Sequence, residues 1–455
     1  MNGLDKIAFA GLVAANAWAG LAAPAPVLAQ AAPEAAAPAP IFDAAARRDA
    51  VGTAAKLLTE DYVFPDVGVK AAAMLTQNLA AGKYDTATTP AVFATQLTTD
   101  LQALTHDKHL RVFADGVVPD DLPPKPMPAG WYGFAQADRL KGNVGYIVLN
   151  GFVMKAVSRQ GADEAMGLLA STDALIIDLR QNGGGDPAAV AYLVSFFFDA
   201  KTPVHVIDIV RRKPGTNDFD RHVNSTEPTP VSYLGKPVYL ITSSHTFSGG
   251  EEFAYDMQTL KRATLVGEAT GGGAHPGGRQ PIGPGLSLFV PVGRSESPIT
   301  HTDWEGKGVQ PDIAVPADQG FAAAYTAVLH ALGRQAPASP PAAEAVTEAH
   351  LLPPVRVTAM PGSEAALRRL IVDEANGHPP YDLLEDSLAN LMRDQAADVQ
   401  ADLRALGALQ SLTFIKVAFG QDIYEAKFEK GLQRFMIVMD SFGKIAVFTK
   451  VGMDN

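Results

Sequence analysis

Between Asn143 and Leu332 short apolar runs alternate with amphipathic stretches, and this alternation restricts the fold more than any other feature of the chain. "NVGYIVLNGF", "DALIIDLR", "KPVYLITSS" and "RATLVGEAT" read as strands, and "QGADEAMGLLAST", "DPAAVAYLVSFFF" and "SGGEEFAYDMQTLK" as the helices between them. Strands that alternate with helices in this way build an α/β sheet with helices packed on its faces. "LSLFVPVGR" and "DIAV" add strand at the edge, and "FAAAYTAVLHALG" is a further helix. Helical spacing also marks residues 41–115, with Thr89-Pro90 as a capped helix start. After an Ala/Pro-rich linker at 334–354 come amphipathic helices and three short alternating strands, the last containing a Ser-Phe-Gly-Lys turn. The expected division is a helical domain over 41–115, an α/β core over 130–333 and an α+β domain over 355–455. A proline-rich link from Asp115 to Gly130 joins the first two.

The chain as a whole excludes several functions. Among 455 residues the net charge is −12, which disfavours nucleic acid or an anionic membrane surface as partner. There is no cysteine, so disulfides, thiolate nucleophiles and thiolate metal sites are ruled out. Residues 1–31 read as a signal peptide: an early Lys6, an apolar run from Ile7 to Ala23, and small residues Ala29 and Ala31 at the cleavage point. The run is short for a membrane span and is interrupted by Asn16. With 32–40 as an Ala/Pro leader, the expectation is a periplasmic or secreted protein with no stable membrane insertion after cleavage.

Three loops at strand ends carry chemistry. In "IIDLRQNGGGDP" the run Gly183-Gly184-Gly185 leads into a helix and can aim backbone N–H groups at an anion or serve as a plain turn. The phosphate-loop signature G-x-x-x-x-G-K-[ST] is absent, and Asp178 and Arg180 are braces for this loop. In "TSSHTFSGGEEF" Ser248 stands where a strand gives way to a helix. There it is either a nucleophile at a helix N-terminus or the cap of a Ser-x-x-Glu capping box with Glu251. The third loop is "HTDWEGKGVQPDI".

The ordered set "DLRQNGGG", "TSSHTFSGGEEFAYDMQTLKRATLVGEATGGG" and "WEGKGVQPDIAV", spanning roughly Asn143 to Val315, resembles the serine peptidase family of the C-terminal processing proteases and tricorn. With "DKHLRV" and the helical N-terminal part, the resemblance is to the branch related to interphotoreceptor retinoid-binding protein. It implies a crotonase- or ClpP-like core, acyl transfer to peptides or unfolded protein tails, no cofactor and no metal site. An oligomer is compatible with it. The resemblance implies Ser248 as nucleophile and, from the tricorn-like branch, His109 as base and Glu305 as supporting acid. The oxyanion hole would come from Gly249 with Gly183 or Gly184. The lysine that serves as base in the processing proteases is missing, because Gly273 stands at its position. His275 is the alternative base, and Trp304 is a wall. A non-catalytic binding protein for an apolar ligand on the same fold is the competing expectation.

Overall fold

A computed structural model describes residues 42–115, 132–339, 341–352, 356–418, 421–440 and 443–451. The expected signal peptide, the leader and nearly all of the proline-rich link lie outside the described residues.

Three helices open the chain: α1 (Ala44–Asp61), α2 (Pro65–Ala80) and α3 (Pro90–Thr105). Each start is written locally. Asp43 accepts hydrogen bonds from the N–H groups of Ala45 and Ala46, Pro65 occupies the first turn of α2, and Thr89 Oγ1 accepts from Val92 N–H ahead of Pro90. These helices do not close a core alone. Strand β1 (Arg111–Ala114) pairs with β10 (Leu286–Pro291), which pairs with β9 (Gly277–Gly283), so a hairpin from far along the chain completes this unit. Leu58, Leu75, Phe93 and Leu97 pack with Ile282, Leu286 and Leu288 in one cluster.

The central sheet runs β12-β8-β7-β4-β3-β2-β13. Its members are β2 (Phe134–Leu140), β3 (Val144–Leu149), β4 (Ala174–Asp178), β7 (Val238–Thr242), β8 (Thr264–Gly267), β12 (Ile313–Ala314) and β13 (Thr347–His350). From β3 through β4, β7 and β8 to β12 every pairing is parallel, while β2 and β13 are antiparallel additions. Every residue of β4 is buried, as a parallel strand covered on both faces requires. One face carries α4 (Lys155–Leu169), α5 (Pro187–Ser195) and α6 (Gly249–Thr259), and the other carries α7 (Gly320–Ala331). Because the central strands are parallel, the loops that leave β3, β4, β7 and β8 emerge along one edge of the sheet.

A smaller sheet, β11-β5-β6, joins β5 (His205–Arg212), β6 (Phe219–Ser225) and β11 (Gly293–Glu296). The linker includes a one-turn helix, α8 (Ala343–Val346), and then supplies β13, which zips onto β2. Beyond it α9 (Ser363–Ala375), α10 (Asp386–Asp394) and α11 (Ala396–Leu406) pack on a four-stranded antiparallel sheet. Its strands are β14 (Leu409–Ala418), β15 (Gln421–Phe428), β16 (Gly431–Met439) and β17 (Ile445–Val451), four where the sequence reading expected three. Ile423, Met436, Val438 and Val447 of this sheet meet Tyr132, Val153 and Val157 of the core.

The shared β9–β10 hairpin predicts that the helical unit and the central sheet unfold together. Leu288→Ala removes a fully buried side chain and should cost about 2–5 kcal/mol. Far-UV and near-UV transitions in denaturant should stay coincident in the variant; a helical unit that melts separately would contradict the shared core.

Candidate active site

The turn after β7 is pinned to the loop after β4. Thr246 Oγ1 donates to Leu179 O at 2.8 Å, Ser243 Oγ donates to Arg180 O at 2.7 Å, and Phe247 N–H donates to Asn182 O at 2.9 Å. Arg180 and Asp178 brace this loop through a partly buried ion pair at 2.6 Å that Tyr146 OH joins at 2.8 Å. Pinning delivers Ser248, partly exposed, to the N-terminus of α6 with φ 54° and ψ −123°. An ordinary helix cap is extended, so a serine held in the left-handed half of the map is backbone strain imposed by its surroundings. Gly184, at φ +100°, lies against it: a Cβ there would stand 2.6 Å from Ser248 Cβ and 2.7 Å from Gly249 N.

The N–H groups sort the expected oxyanion donors. Gly184 N–H is committed to Asn182 Oδ1 at 2.9 Å, which corrects the expectation for Gly184: the residue supplies room, not a donor. Gly183 N–H points to Asn150 O at 3.4 Å. The N–H groups of Gly249 and Gly185 have no acceptor among the described hydrogen bonds, and Gly185 N lies 2.9 Å from where a Cβ on Gly249 would stand.

His109 sits in the loop between α3 and β1, buried, with its ring 4.6 Å from that of Phe247 and 5.6 Å from that of Phe289. The structure therefore brings His109 against the immediate neighbour of Ser248, though none of the described hydrogen bonds joins the two. Burial pulls its pKa down to about 4, against the opposing charge of Asp107. His106, by contrast, is an exposed left-handed cap of α3.

Behind His109 lies a group the sequence reading did not assign. Asp107 is 1% exposed; its Oδ1 accepts His109 N–H at 3.0 Å, and its Oδ2 accepts from His275 Nδ1 at 2.7 Å and from Tyr62 OH at 3.1 Å. His275 Nδ1 also stands 3.5 Å from Glu305 Oε2. Burial opposes the charged form of His275, but the Asp107 hydrogen bond and charge, with Glu305, outweigh it and raise the pKa. His275 thus faces carboxylates. Glu305 Oε2 accepts Ala274 N–H at 2.5 Å, Glu305 Oε1 is buried without a partner, and burial pushes the Glu305 carboxyl up to about 7. Trp304 is buried and donates from Nε1 to Gly273 O at 2.7 Å.

Gly273 explains why a lysine is absent there. A Cβ at Gly273 would lie 2.7 Å from His109 Cε1 and 2.3 Å from Phe247 Cζ, so the imidazole and the Phe247 ring occupy the space that a side chain would need. Sequence reasoning also missed Glu251 as more than a cap and Tyr62 altogether, and it named Gly185 within the glycine run without choosing it as an oxyanion donor. Asp107 had a visible signal, standing two residues before His109.

A cleft of about 810 Å³ is lined by Lys141, Tyr325, Arg334 and linker residues, and it includes none of the Ser248 cluster.

Comparison with known proteins adds a family. Residues 143–315 match Peptidase family S41, and residues 44–129 match the "N-terminal domain of Peptidase_S41 in eukaryotic IRBP". The carboxyl-terminal-processing peptidase 2, chloroplastic, of Arabidopsis thaliana is 29% identical over 175 residues, 38% of this chain and 32% of that protein. A carboxyl-terminal-processing protease of Picosynechococcus is 28% identical over 185 residues, 38% of this chain and 40% of that protein. Tricorn protease of Thermoplasma volcanium is 29% identical over 139 residues, 30% of this chain and 12% of that protein. The chain therefore spans well under half the length of these relatives. The solved photosystem II D1 C-terminal processing protease superposes with a TM-score of 0.40 at 15% identity, over 64% of this chain and 98% of that one.

Two predictions follow from buried groups near Ser248. Gly273→Lys should not supply a new base; overpacking there should cost about 1–3 kcal/mol and displace His109, so reactivity at Ser248 should fall at least tenfold. A variant that reacts faster than wild type would refute this. Glu252 and Asp256, one turn apart on α6, are buried, and Glu252 Oε1 and both Asp256 oxygens lack partners. Burial, then the charge of Asp186, pushes Glu252 up to about 8 from 4.5. The fold prefers the protonated acid, so stability is full below the unfolded value and declines as pH rises from about 4.5 toward 8. Glu252→Gln should flatten that decline in denaturation midpoints taken at pH 5 and pH 9; parallel pH dependence in the two proteins would contradict it.

Proposed function

We propose that the chain is a serine peptidase of the S41 type, the family that residues 143–315 match, and that it cleaves peptides or protein tails through an acyl-enzyme. The observation that carries the reading is the strained Ser248 at the N-terminus of α6, with the buried His109 ring against its neighbour Phe247.

In this reading His109 is held neutral by burial and takes the Ser248 Oγ proton as Oγ bonds to the substrate carbonyl carbon. The carbonyl oxygen becomes an oxyanion facing the N–H groups of Gly249 and Gly185 and the positive end of α6. The C–N bond then breaks, and the departing amine receives the proton from His109. Water repeats the sequence: it gives its proton to His109 and attacks the acyl carbon, and the Ser248 oxygen leaves with that proton. Asp107 is the negative charge nearest to hand for the transient imidazolium, since its pKa is lowered: burial raises it, but the His275 hydrogen bond and the His275 and His109 charges prevail. Glu305 walls the cluster on its far side. The substrate class rests on the names of the relatives, and export rests on the N-terminal sequence. Among the described residues no helix is long and apolar enough to cross a membrane.

Fluorophosphonate labelling of the purified protein tests the proposal. Wild type should label, Ser248→Ala should not, and His109→Ala should slow labelling by about 10²–10⁴-fold. The pH profile separates the two histidines. A His109 base places the acid limb near pH 4, whereas a His275 base places it above 6.5. Folded wild type that never labels would overturn the peptidase assignment.

A further inference from the structure

Asp107, His109 and Glu305 each bring one ligand-type atom to within 4.8 Å of the other two. Two features of the cluster exceed what a proton relay needs. His109 Nδ1 and Glu305 Oε1 are both buried and both lack a partner. His109 is only 9% exposed, clamped between the Phe247 and Phe289 rings. An orphaned buried polar atom costs on the order of 1–3 kcal/mol, and one small Lewis acid could satisfy both at once. The donor set is one imidazole and two carboxylates. That set suits a borderline transition-metal cation, whereas calcium and magnesium require six or more oxygens or retained waters. The outer sphere is already built: His275 Nδ1 holds Asp107 Oδ2 at 2.7 Å, Tyr62 OH reaches the same oxygen at 3.1 Å, and Ala274 N–H holds Glu305 Oε2 at 2.5 Å.

We propose that Asp107, His109 and Glu305 form an inhibitory binding site for a borderline divalent cation of the Zn²⁺ type, with an open fourth position for water. Ligand bonds of about 2.0–2.2 Å require the three atoms to draw closer together than in the metal-free arrangement. The loops that carry them, 106–110 and 301–306, lie outside regular helix and strand. A cation on His109 Nδ1 fixes the ring proton on Nε2 and leaves neither nitrogen able to accept the serine proton, so metal binding and acylation exclude one another. Binding also displaces any proton from His109 and Glu305, so affinity falls as pH falls. The inhibition rests on the reading of Ser248 and His109 given above; the binding does not.

The decisive experiment titrates Zn²⁺ into full-length Ser248→Ala protein by calorimetry, with Co²⁺ followed by its visible absorption. The expected result is one site per chain, weakened at least tenfold by Glu305→Gln, which preserves side-chain volume, and by His109→Phe, which keeps a ring between Phe247 and Phe289. Circular dichroism confirms that each variant is folded. In wild type, Zn²⁺ should suppress fluorophosphonate labelling and EDTA should restore it. Absence of one-to-one binding, or a site indifferent to both substitutions, overturns the proposal. A protein that labels but binds no Zn²⁺ loses the metal site and keeps the serine; one that binds Zn²⁺ but never labels keeps the site and loses the peptidase.

Discussion

The Glu251 carboxylate is the joint on which the site depends. It is completely buried, yet it accepts four hydrogen bonds: Ser248 N–H at 2.9 Å and Gly273 N–H at 2.8 Å on Oε2, and Thr270 Oγ1 at 2.5 Å and Gly272 N–H at 2.6 Å on Oε1. Burial still prevails over these donors and pushes its pKa up to about 7. Without this side chain the buried donors of Thr270, Gly272 and Gly273 would be stranded, each at about 1–3 kcal/mol, and the Ser248 turn would lose its tie to the 270–275 loop. That loop carries His275, offers Gly273 O to Trp304 and holds Glu305 through Ala274. A capping residue has become the bridge between two loops.

The remaining order comes from segments distant in sequence. Loop 106–110 enters from the helical unit, and Lys108 Nζ reaches Gly271 O at 2.5 Å. The β4 loop supplies Asn182, whose side chain accepts Gly184 N–H and donates to Leu149 O at 3.0 Å. Phe152 grips Gly185 from the β3 loop, with Phe152 N–H donating to Gly184 O and Asp186 N–H to Phe152 O, both at 2.8 Å. Parallel strands bring these loops to one edge, and the β9–β10 hairpin, by locking the helical unit down, presents His109 to that edge.

The parallel core was legible because buried strands and amphipathic helices have distinct apolar patterns, and the place of Ser248 between them marked it as either nucleophile or helix cap. Strand β6 was not, since its residues are almost all exposed and only pairing with β5 gives it shape. The continuous amphipathic pattern from Asp386 to Gly407 hides a break: it forms two helices separated at Gln395, where φ is −116°. Asp107 and Gly185 could be seen as letters, but their roles depend on loops that meet only in three dimensions. No spacing rule reveals that Gly184 spends its N–H on Asn182.

Val153 stands next to Phe152, the residue that grips Gly185, and Val153 packs against Ile423, Met436 and Val438 of the C-terminal sheet. The glycine loop beside Ser248 therefore has its foundation in residues about 240 or more positions downstream. During synthesis the chain can assemble its central strands and still leave that loop unsupported until β15 and β16 arrive. The C-terminal sheet thus acts as a keystone, and an incompletely made chain would carry the serine without the backing that fixes its surroundings.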